Sequence, residues 1–351
     1  MPPVRLTAPP PPTIAPPPAS DTAATVAEES TPASAPTTAK GKGPQGKIAL
    51  LFLIYEEIHQ PELWRAFIES ADRMSKDGGE RLYSIYIHAK SRTIPLPPFL
   101  EKYHLPTNAI VSTEYADISL VHAMNTLLRQ ALTDASNTKF VFLSGHCIPI
   151  KPFAHVHSVL TSTDHCHFSA MDIDQNDREL KRALLLAASA GAAGSLLPPG
   201  CAAKASQWCV LNRRIATRCV EVPAHYVRAF ENTRAPEEWY YLSTALISPL
   251  QDDNDENSAV EQPSQQVLSP TRRTPVPPDV RIHTSLTGNH TGPTFANWRE
   301  TEYTPGGHRP RTYKNVTVDE LHGLVTGPCL FARKFATGCE GLEQLRELLM
   351  S

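Results

Sequence analysis

Glu237 and Glu238 stand between Pro236 and Trp239, with Tyr240 and Tyr241 following. An apolar wall withdraws water from a carboxylate and raises its proton affinity, which is what a general base needs. The same pair suits the first turn of a helix, where acids favour the dipole. On this segment alone both readings stay open. A second candidate is Asp172-Ile173-Asp174, whose paired oxygens could hold a hard divalent cation against a diphosphate. Two matching residues carry little weight, and the acids of 252–255 lie in a polar run where they are expected to be solvated. A third candidate is Cys147, which with Gly145 and His146 follows a buried strand. A thiol nucleophile there would need an ordered base and an oxyanion hole. His146 is its direct neighbour, a spacing that rarely aims an imidazole at a thiol. The fourth is basic: His308–Lys314, and Arg333-Lys334 bracketed by Phe331 and Phe335. Arg and Lys can neutralise a leaving group that gains negative charge.

Composition bounds what can position these groups. The chain has 351 residues, 33 of them proline against 17 glycines, and a net charge of −3. That charge argues against wholesale nucleic-acid binding. Hydrophobic residues make up 41%, enough for a sizeable core. Seven cysteines show neither a Cys-x-x-Cys pair nor metal-ligand spacing. Two glycosylation triplets, at Asn289 and Asn315, weakly favour a secretory lumen. The apolar run Ile48–Tyr55 is too short to span a bilayer, and residues 1–46 lack the pattern of a signal peptide.

Residues 1–46, rich in Pro, Ala, Thr and Ser, read as a disordered arm, because few apolar groups are present to offset ordering entropy. A single domain follows over 47–351, interrupted by a polar, proline-rich insertion at about 249–279. Ile48–Tyr55 reads as a strand buried on both faces. Pro61 opens a helix with Leu63, Trp64, Phe67, Ile68, Ala71 and Met74 on one face, and Asp77-Gly78-Gly79 stops it. Leu82–His88 is the next strand, which makes a βαβ unit. A short strand is expected at Ala109–Ser112. Asp117 or Ser119 then caps a helix, and Phe140–Leu143 forms another buried strand. A helix over Ala183–Leu197, a strand over Ser206–Asn212 and a terminal helix from Glu340 to Met350 complete the reading. This alternation predicts an open α/β sheet, mostly parallel, with ligands beyond the carboxyl ends of its strands.

Eight blocks occur in an order that matches a known family. They begin at Lys47, Tyr83, Asp117, Lys139, Ser206, Pro236, Phe295 and Leu330, and they run to Phe335. The chain resembles the core-2/I-branching β-1,6-N-acetylglucosaminyltransferase family, and within it the plant and algal branch. The resemblance implies a GT-A-like, Rossmann-like fold and an inverting, metal-independent glycosyltransferase. Such an enzyme moves a sugar, GlcNAc first among the candidates, from a UDP-sugar to a glycan hydroxyl.

By the same resemblance Glu238 is the catalytic base, with Glu237 and Trp239 standing where the family has Asp and His. Arg311 and Lys334 bind the donor diphosphate, with Arg309 the fallback for Arg311. Trp298 stacks on the acceptor sugar. His88 occupies a nucleotide-binding position where animal members carry an aspartate. Asp172 and Asp174 become coincidental, since Ser144–Cys147 takes the place of the metal motif. The family also implies a Golgi membrane protein, although no anchor is visible here. A non-catalytic sugar-binding relative and a hydrolase acting through Cys147 are the competing functions.

Overall fold

The computed structural model describes residues 46–75, 80–91, 93–170, 202–247, 276–284, 291–304 and 307–351. The proline-rich arm, Asp172 and Asp174, the helix expected at 183–197, the 252–255 acids and nearly all of the 249–279 insertion lie outside these residues.

The unbroken apolar runs become the centre of a six-stranded sheet. Its strands are β1 (Lys47–Ile54), β2 (Tyr83–Ala89), β3 (Asn137–Ser144), β5 (Cys166–Ala170), β6 (Val210–Asn212) and β7 (Val280–Thr284), in the order β2-β1-β3-β6-β5-β7. β1 pairs in parallel with β2 and with β3, and β5 in parallel with β7. β6 alone runs the other way, antiparallel to both β3 and β5. The sheet is therefore mostly parallel, as expected, with one reversed strand. A run apolar at every position has two faces to bury. In β1, Ile48, Leu50, Phe52 and Ile54 enter one core and Ala49 and Leu51 the other.

The first core is closed by α1 (Pro61–Met74), α3 (Phe153–Thr161) and α8 (Glu343–Met350). Pro61 sits at the start of α1, where its missing N–H costs nothing. Trp64 is fully buried against Phe52, their ring centroids 4.8 Å apart. The second core is closed by α2 (Ser119–Leu132), α4 (Arg213–Glu221) and α6 (Pro236–Leu246). A short α5 (Ala224–Arg228) precedes α6. Neither Asp117 nor Ser119 caps α2: the cap position is Ile118, without a side-chain cap, and Asp117 Oδ1 accepts from the Ser119 amide at 2.8 Å in the turn just ahead of it.

Smaller sheets complete the fold: β4 (Ile148–Pro149), β8 (Thr294–Ala296) and β12 (Phe331–Arg333) form one of them. β9 (Glu302–Thr304) pairs with β10 (Gly307–Arg309), and β11 (Tyr313–Asn315) with β13 (Phe335–Glu340). A capping box between Thr317 and Glu320 starts α7 (Val318–Thr326). Three further sequence expectations fail in whole or in part. The strand expected over Ser206–Asn212 is confined to Val210–Asn212, because the Ala205 and Ser206 amides are bound by the Glu238 and Ser169 carbonyls instead. Ala109–Ser112 is not a strand: Thr107–Ala109 form a single 3-10 turn after Pro106, and the Val111 amide is taken by a side chain instead of a ladder partner. The terminal helix begins at Glu343, because Phe335–Glu340 pairs as β13.

Candidate active site at the carboxyl edge

Glu238 lies in the first turn of α6. Pro236 opens that helix, after Ala235 turns the chain with a left-handed φ of 55°. The Ala205 amide donates to the Glu238 carbonyl at 2.8 Å, and the Ser206 amide donates to the Ser169 carbonyl at 2.8 Å. Segment 203–206 thus moors α6 to the carboxyl end of β5. Lys204, on that segment, places Nζ 3.3 Å from Glu238 Oε2 and also stands 5.8 Å from the centre of the Trp239 ring. The Glu238 side chain keeps 22% of its surface exposed.

The aromatic wall encloses the other acid. Glu237 is only 5% exposed, among buried Trp239, Tyr240 and Tyr241. Its Oε2 has no hydrogen-bond partner, and neither has Trp239 Nε1. Burial, followed by the adjacent Glu238, pushes the Glu237 carboxyl up to about 8. The desolvation that the sequence suggests for the pair therefore falls on Glu237, and Glu238 carries the cation and the opening to solvent.

The basic residues reach the same edge from the C-terminal part. The Phe335 amide donates to the His146 carbonyl at 3.2 Å, and His146 Nδ1 is 3.1 Å from the Phe335 carbonyl. These contacts hold Arg333-Lys334 beside the turns that follow β1 and β3. Those turns meet closely: a Cβ on Gly145 would lie 1.9 Å from the Glu57 carbonyl oxygen, so only glycine fits there. Above them the rings of His59 and His146 stack 3.7 Å apart. Burial lowers the proton affinity of both, that of His146 to about 3, and the charge of Lys334 adds to the effect.

The Arg333 guanidinium lies over the Trp208 ring at 4.6 Å, and its Nε is buried without a partner. Burial disfavours its charge, and the acidic groups within electrostatic reach are Cys147, Glu238 and Tyr115. No ion pair among the described residues balances it. Arg309 stands 5.5 Å from the Tyr115 ring, so the two arginines approach the same loop.

Arg311 is engaged differently. Its Nη1 contacts Glu300 at 2.9 Å and Glu320 at 2.7 Å, and its guanidinium packs on Tyr313 at 4.5 Å. Its amide donates to the Asn297 carbonyl at 2.9 Å, and the Tyr313 amide donates to the Lys334 carbonyl at 2.7 Å. Arg311, Lys334 and the half-buried Trp298, which follows Asn297, are thereby tied into one block. His88 is fully buried at the end of β2. Its Nε2 accepts from the Val111 amide at 2.9 Å, so the ring proton sits on Nδ1, which has no partner.

Cys147 is not arranged as a nucleophile. It is fully buried, its Sγ lies 3.2 Å from both the amide and the hydroxyl of Ser144, and burial raises its proton affinity. His146 turns its ring to His59 and the Phe335 carbonyl instead. The described cysteines are all free thiols. Among the described residues no three His, Cys, Asp or Glu side chains converge as a metal site. A surface hollow of about 330 Å³ lined by His122, Arg129, Arg228 and Glu231 includes none of the groups above. The sequence does not single out Lys204 or Trp208 as site residues. It offers Arg333 and Lys334 together within one aromatic bracket, and the resemblance gives a role to Lys334 alone. Lys204 carries no local signal, because only folding brings it to Glu238.

Residues 48–324 match the family model described as Core-2/I-Branching enzyme. The chain is also similar to a curated rice protein (Oryza sativa subsp. japonica) named Glycosyltransferase BC10. The two are 25% identical over 201 residues, which is 55% of this chain and 46% of the relative. The chain thus spans about half the length of the curated relative it matches.

Proposed function

This chain belongs to the core-2/I-branching enzyme family, and on that footing we propose that it is an inverting glycosyltransferase using a UDP-sugar donor, with GlcNAc as the leading transferred sugar. The observation that carries the proposal is the convergence at one sheet edge of a solvent-reaching carboxylate, Glu238, and a set of fixed cations. The reaction is a single in-line displacement. Glu238 takes the proton of an acceptor sugar hydroxyl as that oxygen bonds to the donor's C1. The bond from C1 to the diphosphate oxygen breaks, and its electron pair leaves with UDP. Lys334 and Arg311 are the family-derived cations for that charge. The geometry adds Arg333, whose guanidinium has no ion-pair partner among the described residues, whereas Arg311 would have to share its charge with Glu300 and Glu320. Preorganised cations of this kind lower the cost of a departing diphosphate.

Trp298 is proposed as the acceptor-sugar platform. His88 is proposed as a nucleotide contact, through the unpartnered Nδ1–H. The mechanism needs no divalent cation. A Golgi membrane location is proposed from the family. No helix among the described residues is long and apolar enough to cross a membrane. The test is product stereochemistry in EDTA. Transfer that persists without metal and inverts the anomeric centre supports the mechanism. Retention, or activity that Mn²⁺ must restore, overturns it.

A further inference from the structure

Glu237 is a buried acid that the displacement does not use. It is 5% exposed, and its Oε2 meets no donor. The charged and titratable groups facing it come from three elements. Glu238 and Tyr241 share its helix, Asp117 approaches from the start of α2, and Lys204 comes from the segment moored to β5. The one cation in this set is already paired with Glu238 Oε2 at 3.3 Å. An ionised Glu237 would thus be a desolvated anion among two further acids, with its nearest cation committed elsewhere. Protonated, it loses that cost and gains an O–H.

We propose that Glu237 works as a neutral carboxylic acid, a positioning residue that leaves Glu238 as the one ionised acid of the pair so that an anionic donor can bind beside it. The proposal rests on Glu238 being the base. Proton balance is simple: the acceptor's proton goes to Glu238, and the Glu237 proton stays in place through the reaction. Ionisation of Glu237 would put a second anion behind Glu238, repel the donor diphosphate and weaken donor binding. Burial already sets that ionisation near pH 8.

The experiment uses the full chain in three forms: wild type, Glu237→Gln and Glu238→Gln. Infrared difference spectra at pH 7 report directly on a protonated carboxyl. The proposal expects a carbonyl band of a neutral acid in wild type and in Glu238→Gln, absent from Glu237→Gln, that disappears as pH rises through about 8. No such band at pH 7 overturns it, whatever the activity of any variant. Donor kcat/KM is the second readout, with UDP-GlcNAc as the probe. In wild type it falls by up to about tenfold per pH unit above the ionisation, through a rising donor KM. In Glu237→Gln that alkaline limb is missing. Superimposed alkaline limbs overturn the donor-binding role. If Glu238→Gln transfers sugar normally, the base assignment fails separately, and the infrared result still judges Glu237.

Discussion

Two neighbouring acids acquire different environments from one turn of helix. Pro236 and the left-handed Ala235 start α6 so that Glu237 turns into the aromatic core and Glu238 toward Lys204. The sequence pointed to the spot, because adjacent acids before three aromatics need a special setting. The resemblance named Glu238 as the base, but the residues alone could not divide the environments of the two acids, because that depends on Lys204, more than thirty residues earlier. Lys204 Nζ lies 3.3 Å from Glu238 Oε2, so Lys204→Met leaves that carboxylate without its ion-pair partner and should lower turnover about 10-fold while donor KM changes little. Turnover equal to wild type would show that the lysine does not act on Glu238. Among the cations, Arg333→Met should lower donor kcat/KM by 10- to 100-fold, about 1.4–2.7 kcal/mol, the scale of one charge-assisted contact. Arg311→Met should cost less, because Glu300 and Glu320 already share its charge. The reverse order would return the leading role to Arg311.

At the scale of elements, α6 is held by a buried polar junction. Asn125 on α2 donates through Nδ2 to the Cys219 carbonyl and to the Tyr240 hydroxyl, both at 3.3 Å, and accepts from the Tyr241 hydroxyl at 3.0 Å. Removing one partner from such a junction strands the others, at about 1–3 kcal/mol. Asn125→Ala should therefore lower the unfolding free energy by about that much, and should reduce transfer by loosening the helix that carries Glu238. Denaturant titration checks the first effect, and turnover at a temperature where the variant stays folded checks the second.

The βαβ start and the doubly buried strands were legible because unbroken apolar runs have few other homes. The reversal of β6 was not, since a three-residue strand carries no mark of its direction. The error at Ala109–Ser112 has a local cause. Apolar residues there look strand-like, but Pro106 starts a tight turn, and the Val111 amide is bound by His88.

Across the whole molecule, the carboxyl edge gathers groups from β1, β2, β3, β5 and the C-terminal layer, so the site exists only in the folded chain. Its main cost is Glu237. Its folded proton affinity lies above the ordinary value of 4.5, so the native state holds a proton that the unfolded chain releases. Stability from this group is fully present below about pH 4.5, falls as pH rises, and is lost above about pH 8, by roughly 5 kcal/mol. Glu237→Gln should show no such loss. Its melting temperature should match or trail wild type in acid and exceed it at pH 8, as scanning calorimetry would show. The fold class was readable from the order of the blocks. The site was readable only in part, because its pairings join segments far apart in sequence.

If Glu238 is the base of a sugar-transfer reaction, UDP release depends on its carboxylate. Purified full-length protein is offered a panel of UDP-sugars with glycan acceptors, and wild type is compared with Glu238→Gln at matched folding and donor affinity. Wild type should release UDP in an acceptor-dependent manner, and the variant should be slower by about 10²- to 10⁴-fold with donor binding retained. Turnover in Glu238→Gln close to that of wild type would remove Glu238 from the reaction.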